Sequence, residues 1–154
     1  MSHTVSFRLE GVPPNWSNVR WGQGHDFERQ SDVWRAKADW KTLTHAVAMS
    51  TRHRSWIPAP ARSDPRRRVL ITLYRRRLLD VDGAWSSVKP IIDGLKGALL
   101  FDDAQKYIEP FVHQLYPEDQ PESLGRECVV VAVEVHDSAE KSLETPAPVE
   151  QVSG

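Results

Sequence analysis

The sequence predicts an α+β protein in which two helices cover one face of a mixed four-stranded sheet. Four segments have the alternating or β-branched pattern of strands, and two have residues repeating at helical spacing. Their order along the chain is β-α-β-α-β-β, and a two-layer sandwich buries one face of such a sheet. With 154 residues, 40% of them hydrophobic, the chain is long enough for one core of this kind.

The N-terminal half supplies the first strand and the first helix. Residues 4–9 alternate between apolar and polar side chains, which is typical of a half-buried strand. Residues 16–30 contain Gly, Asn and scattered charges and are expected to form a loop. Ser31 or Asp32 can cap a helix that runs to about Ser50.

The C-terminal half supplies three strands and the second helix. Residues 68–76 (RVLITLYRR) are rich in β-branched and aromatic residues and predict a strand that continues towards Asp80. Ser86 or Ser87 is expected to cap the next helix, with Pro90 tolerated in its first turn. Two further strands are expected, at residues 106–116 and 128–136.

Residues 1–137 are expected to form the folded domain, and residues 138–154, rich in Ser, Glu and Pro, a disordered acidic tail. The single cysteine, Cys128, excludes an internal disulfide and is expected to be a small buried hydrophobe, which suits a reducing cytoplasm. The chain has neither a signal-peptide apolar region nor a run approaching the roughly 20 apolar residues of a membrane span. We therefore expect a cytoplasmic protein without membrane contact.

The net charge of −1 conceals an uneven distribution of charge. Residues 51–80 contain nine Arg and two Asp, whereas the chain from Glu134 onward contains five acids and one Lys. Two Arg clusters bracket the central predicted strand, namely Arg66, Arg67, Arg68 and Arg75, Arg76, Arg77. Arginine is ordinary on a surface, but cations around an acidic centre would also suit a polyanionic substrate such as a nucleic acid.

The segment DVDGAWSSVKPIIDGLKGALLFDDAQ, residues 80–105, contains two pairs of carboxylates. If the strand reaches Asp80, then Asp80 and Asp82 lie on the same face of it. A helix of about 14 residues could return the chain so that Asp102 and Asp103 lie beside them. Converging carboxylates would suit Mg²⁺ or Mn²⁺. Alternatively, Asp-Gly forms an ordinary turn and Asp-Asp an ordinary cap or loop.

Lys89 follows in the first turn of the predicted second helix, where the helix dipole disfavours a cation. Asp93, four residues later, could neutralise it as a simple helical ion pair. Alternatively, Lys89 could point at the carboxylates and stabilise charge on a bound phosphate.

Taken together, these elements resemble the RusA family of Holliday-junction resolvases. The resemblance lies in Asp80-Val81-Asp82, in Lys89 followed by Asp93 and Leu95, and in Asp102-Asp103-Ala104-Gln105, and extends to Pro13-Pro14, Asn18 and the Arg75–Arg77 run. Its element order covers about residues 5–136. Two departures are Gly83, where the family often has Asn, and the spacing of seven positions from Asp82 to Lys89, which is longer than in the best-known members.

The resemblance implies a homodimeric, Mg²⁺-dependent endonuclease that resolves four-way DNA junctions in bacterial or phage recombination and repair. It implies that Asp80, Asp82 and Asp103 bind the metal and that Lys89 is catalytic. We interpret Asp93 as the partner of Lys89 and expect Asp102 to support the metal ligands without binding the metal. The Arg clusters would then bind DNA. A catalytically silent protein that binds branched DNA, and a protein-interaction adaptor that uses the Trp-rich N-terminal half and the acidic tail, are the alternatives.

Overall fold

The computed structural model has the predicted order of elements and places both helices on one side of a mixed four-stranded sheet. It describes residues 2–16, 26–121 and 125–136. The predicted α+β fold is therefore confirmed. The elements are β1 (Ser2–Glu10), α1 (Asp26–Arg54), β2 (Arg67–Tyr74), α2 (Val81–Leu95), β3 (Ile108–Leu115) and β4 (Cys128–His136).

The sheet has the strand order β1-β4-β2-β3. β4 pairs antiparallel with both β1 and β2, whereas β3 pairs with β2 in parallel, so α2 is the crossover between two neighbouring strands. Pro110 lies in β3, which is at the edge of the sheet, where a residue without an N–H can be accommodated.

The core lies between one face of the sheet and the two helices. The apolar residues that alternate along β1 and β4 are buried, and those of β2 join them. Helix α1 contributes fewer side chains to the core: Thr44 is buried, Trp40 and Val47 are partly buried, and Trp34 and Leu43 are exposed. The buried strand residues are Val5, Phe7, Leu9, Val69, Ile71, Leu73, Val129, Val131, Val133 and Val135.

Helix α1 is longer than predicted at both ends. It begins at Asp26 rather than after Ser31 or Asp32, so the loop predicted for residues 16–30 is wrong for residues 26–30. Residues 26–30 contain neither Gly nor Pro, so nothing in them opposes an earlier start. Residues 17–25 of that loop, and the tail predicted for residues 138–154, lie outside the described residues.

The prediction that β2 continues towards Asp80 is wrong, because the strand ends at Tyr74. Residues 75–80 form a connection that Gln114 of β3 holds in place. The Gln114 side chain accepts a hydrogen bond from the Leu79 N–H at 2.9 Å and donates one to the Leu79 carbonyl at 2.8 Å. This clamp satisfies the backbone of the connection without strand pairing.

Helix α2 begins at Val81, one and a half turns before the predicted caps. Ser86 and Ser87 therefore lie inside the helix, where the Ser87 hydroxyl donates to the Ala84 carbonyl at 2.7 Å. Pro90 also lies in the helix interior rather than in the first turn. Because proline has no N–H, the Ser86 carbonyl lacks its helical donor at this point.

Two arginines hold the chain where it leaves α2. Gly97 adopts a left-handed conformation with φ +77°, which turns the chain away from the helix axis. The Arg52 guanidinium donates to the carbonyls of Gly97 and Ala98 at 3.2 and 3.3 Å, and buried Arg67 donates to the Leu99 carbonyl. These bonds satisfy carbonyls of the turn that follows the helix and direct the chain towards Asp103.

Two further expectations concern Cys128 and membrane contact. Cys128 is buried, as predicted, and burial raises the pKa of its thiol. In the described part of the chain, no helix is long and apolar enough to cross a membrane.

The two helices make their closest approach at Gly94 of α2. A Cβ atom at this position would lie 2.6 Å from the Lys41 carbonyl oxygen and 2.7 Å from the Thr44 Cβ atom. The His45 Nδ1 atom is also within hydrogen-bond distance, 3.0 Å, of the Gly94 carbonyl oxygen. Only glycine fits here, because the nearest obstacle is backbone that no rotamer change can move.

We expect Gly94→Ala to destabilise the protein. Because the Cβ atom would meet backbone, the overpacking cost should lie near the upper end of about 1–3 kcal/mol. The better helix propensity of Ala returns about 1 kcal/mol, so the net loss is about 2 kcal/mol. Urea unfolding would measure it, with Ser50→Ala on the exposed side of α1 as the control that should lose nothing. Equal stability of Gly94→Ala and wild type would contradict the close packing at Gly94.

Candidate functional site

The three predicted metal-binding carboxylates occupy different positions around α2. Asp80 is the N-cap residue, and its Oδ1 atom accepts a hydrogen bond from the Gly83 N–H at 2.7 Å. Asp82 lies in the first helical turn and is exposed, whereas Asp103 follows the helix. The prediction that Asp80 and Asp82 share a strand face is therefore wrong, because neither residue is in a strand.

Gly83 is explained by the space around the start of α2. A Cβ atom there would lie 2.6 Å from the Asn15 Nδ2 atom and 2.7 Å from the Asp80 Oδ1 atom. Any larger residue would push the Asn15 side chain away from the helix N-terminus. The space beside Gly83 is therefore filled by the side chain of Asn15, which comes from the segment after β1.

Lys89 links α2 to the segment that follows the helix through ion pairs. Its Nζ atom lies 2.8 Å from Asp103 Oδ2 and 3.0 Å from Asp93 Oδ1. Lys96 approaches the same carboxylates, at 3.2 Å from Asp103 Oδ1 and 3.8 Å from Asp93 Oδ1. Asp102 supports the cluster, because its Oδ1 atom accepts the Asp103 N–H at 2.9 Å. Both earlier interpretations of Lys89 are thus partly right: it pairs with Asp93, and it also reaches Asp103.

The ion pairs keep both main partners charged over a wide pH range. The hydrogen bond from Lys89 lowers the pKa of Asp103 to about 2, against the smaller opposing effect of burial. The hydrogen bond to Asp103 is also the largest cause of the raised pKa of Lys89. At neutral pH Lys89 is therefore a cation that can bind an anion but cannot act as a general base.

Asp82 and Lys89 lie on the same face of α2. Lys89 is seven positions after Asp82, which is about two turns and about 10 Å along the helix axis. Ser86 lies between them on that face, and Asp93 and Lys96 continue it. Because seven residues are close to two full turns, this spacing keeps Lys89 and Asp82 on the same face of the helix.

The predicted metal ligands suit a hard cation by chemistry but are not brought together. Carboxylate oxygens are the ligands that Mg²⁺ and Mn²⁺ prefer. In residues 2–16, 26–121 and 125–136, however, no group of three or more His, Cys, Asp or Glu side chains has a geometry that could hold a metal ion. Each Asp103 oxygen contacts a lysine ammonium, and one Asp80 oxygen caps the helix. In this arrangement Asp80, Asp82 and Asp103 do not form a metal centre.

The six predicted DNA-binding arginines separate into two groups. Arg67 and Arg75 are buried, with guanidinium groups bonded to the carbonyls of Leu99 and Pro13, so we remove them from the set that could contact DNA. Burial lowers the pKa of both groups. The four arginines that remain exposed are Arg66, Arg68, Arg76 and Arg77.

Sequence reasoning missed several residues that build the site. Lys96 lies three residues after Asp93 and seven after Lys89, so helical spacing could have found it. Gln114 and Trp16 could not be found in this way, because their contacts are distant in sequence. Trp16 is buried, and its indole N–H donates to the Ser87 carbonyl at 3.2 Å, which fixes the segment after β1 against α2.

Comparison with known proteins adds no relative. No protein-family model matches the chain, and neither a curated protein nor a solved structure does. The assignment of a function therefore depends on the residues and on their arrangement.

We expect Lys89→Met to raise the pKa of Asp103 from about 2 towards its ordinary value of 3.8. Because the folded-state pKa is depressed, the ion pair stabilises the fold fully above about pH 4 and loses this contribution as the pH falls to about 2. A carbon-detected NMR titration of the Asp103 carboxyl group would measure the shift. Lys106→Met is the control, since the Lys106 ammonium lies 5.0 Å from the centre of the Tyr107 ring and is not paired with Asp103. An unchanged Asp103 pKa in Lys89→Met would contradict the ion pair between Lys89 and Asp103.

Asp80→Ala should cost about 1–2 kcal/mol of unfolding free energy, because it removes the acceptor at the N-terminus of α2. Asp80→Asn keeps that acceptor and should lose only the charge–dipole contribution of about 0.3–1 kcal/mol. Urea unfolding of both variants would separate the two effects, with exposed Asp39→Ala as a control that should not destabilise. Equal losses in the two Asp80 variants would contradict capping through the side-chain oxygen.

Proposed function

We propose that this protein is a structure-selective DNA endonuclease that hydrolyses phosphodiester bonds in branched DNA, with the four-way junction as its substrate. The observation that carries the proposal is the contact of 2.8 Å between Lys89 and Asp103, the lysine and the final carboxylate of the RusA-like pattern. The two residues are 14 apart in sequence, so this contact depends on the helix and its return turn.

The residues around this contact have chemistry suited to a phosphodiester. Lys89 remains protonated at neutral pH and is exposed, so it can neutralise a non-bridging phosphate oxygen as negative charge develops there. Asp82 lies two turns earlier on the same face and is exposed. The exposed arginines at both ends of β2 would bind the phosphate backbone on either side.

Dependence on Mg²⁺ or Mn²⁺ and a homodimeric state are also part of the proposal, because the resemblance to the RusA family implies both. Paired cuts across a symmetric junction need two related active sites, which a dimer with twofold symmetry supplies. A bacterial or phage origin and a role in recombination and repair follow from the same resemblance.

A catalytically silent protein that binds branched DNA is the second candidate. It is favoured by the dispersed carboxylates, since among the described residues no three metal-binding side chains converge and both oxygens of Asp103 contact lysines. The exposed arginines would serve such a protein equally well. The two candidates differ in whether bound DNA is cut.

A labelled four-way junction, incubated with the protein in Mg²⁺ or in EDTA, would test the proposal. We expect paired nicks in Mg²⁺ only, and rates lower by on the order of a hundredfold or more in Asp82→Asn, Asp103→Asn and Lys89→Met. Asp39→Asn, a carboxylate variant on the far side of α1, is the matched control and should cut normally. Asp80→Asn adds a variant that keeps the helix cap while removing a candidate ligand.

Two results would overturn the endonuclease proposal. One is junction binding that weakens with salt but gives no nicks in Mg²⁺ or Mn²⁺, which would establish the silent binding protein instead. The other is cutting by the Asp82 and Asp103 variants at the wild-type rate, which would assign any observed nicking to other residues.

A further inference from the structure

A groove of about 380 Å³ runs between α1 and α2, beside the Lys89–Asp103 contact. It is lined by Lys37, Ala38 and Lys41 on α1 and by Ser86, Lys89, Pro90 and Asp93 on α2. A second hollow, lined by Lys41, His45, Asp93 and Lys96 among others, continues it along the same pair of helices. The two hollows share Lys41 and Asp93 and therefore lie next to each other along the two helices.

The excess positive charge of this groove comes from α1. On the α2 side, Lys89 and Lys96 are matched by Asp93 and Asp103. On the α1 side, Lys37 and Lys41 are exposed and form no salt bridge within the described residues. Lys37 lies over the Trp16 ring at 5.8 Å, which orients the ammonium group but does not neutralise it. The unmatched charge therefore favours an anionic ligand.

Trp34 places an exposed aromatic ring on the same face of α1. It precedes Lys37 by three residues and Lys41 by seven, so the three residues follow one another along about two helical turns. The Trp34 side chain is 70% exposed, and the core does not account for it. A row of cations that continues into an exposed indole is the combination by which proteins bind a nucleic-acid strand, with phosphates on the cations and a base on the ring.

We propose that the α1–α2 groove binds one unpaired DNA strand, with phosphates at Lys37 and Lys41 and a base stacked on Trp34. This inference deepens the proposed function and rests on it for the choice of nucleic acid as the ligand. The groove leads to Lys89, so a strand held there would pass the candidate site. An acidic peptide would also match the positive charge of the groove. A peptide, however, has no bases to stack on Trp34, so the exposed indole favours a DNA strand.

Fluorescence anisotropy with a labelled oligo-dT strand in EDTA, over a series of salt concentrations, would test this groove without requiring cleavage. Lys37→Gln combined with Lys41→Gln should weaken binding and flatten the slope of log affinity against log salt by about 1.4, or about 0.7 per lost phosphate contact. Trp34→Ala should weaken binding by about fivefold to a hundredfold.

Two matched controls distinguish the groove from general surface effects. Arg35→Gln removes a charge from α1 about 160° around the helix from Lys37 and should leave the salt slope unchanged. Trp56→Ala removes a tryptophan that is 92% exposed but lies beyond the end of α1, and it should bind like wild type.

Wild-type affinity in the groove variants, or equal losses in the control variants, would overturn the inference. Displacement of the strand by polyglutamate as effectively as by unlabelled oligo-dT would overturn it in favour of an acidic peptide. If the groove variants bind the strand as wild type does while the protein still cuts junctions, the groove inference alone is refuted. Groove-dependent strand binding without any cutting would refute the endonuclease proposal alone.

Discussion

The architecture around the candidate site depends on two guanidinium groups buried at the two ends of β2. Arg67, at the start of the strand, bonds to the Leu99 carbonyl in the turn after α2 and lies 3.3 Å from Asp64 in the preceding loop. Arg75, just after the strand, bonds to the Pro13 carbonyl in the segment after β1. One central strand thereby positions three connections. Because a buried charge is tolerated only with such partners, each bond restricts where its connection can lie.

These bonds explain why only part of each arginine cluster forms a basic surface. Three consecutive arginines in a sequence indicate a basic surface, and four of the six arginines are exposed as that interpretation requires. Arg67 points inward because strand residues alternate between faces, whereas Arg75 lies just after the strand. Both are buried where they can donate to a carbonyl of a connection. The sequence carries no signal of a carbonyl that is distant along the chain, so this burial could not be predicted from it.

The fold was predictable because its strands alternate clearly and its second helix has a regular apolar face. The start of that helix was not, since Asp80 competes with Ser86 and Ser87 as a cap. The clamp of Gln114 on Leu79, a contact across 35 residues, holds the connection that leads into Asp80, and the sequence carries no signal of it. The ion pair of Lys89 with Asp93 was predictable from their helical spacing. The ion pair of Lys89 with Asp103 also depends on the turn at Gly97, which returns the chain to the helix.

Pro110 has a consequence for how copies of this protein could associate. β3 is the outer strand beside β2, and a proline in it leaves the free edge without one of the donors that a further strand would need. The charged neighbour Glu109 and the exposed His113 make that edge still less suited to pairing. A second copy would therefore meet this one through a sheet face, the helices or the β1 edge. The β3 side is protected against the open-ended stacking of strands from which fibrils grow.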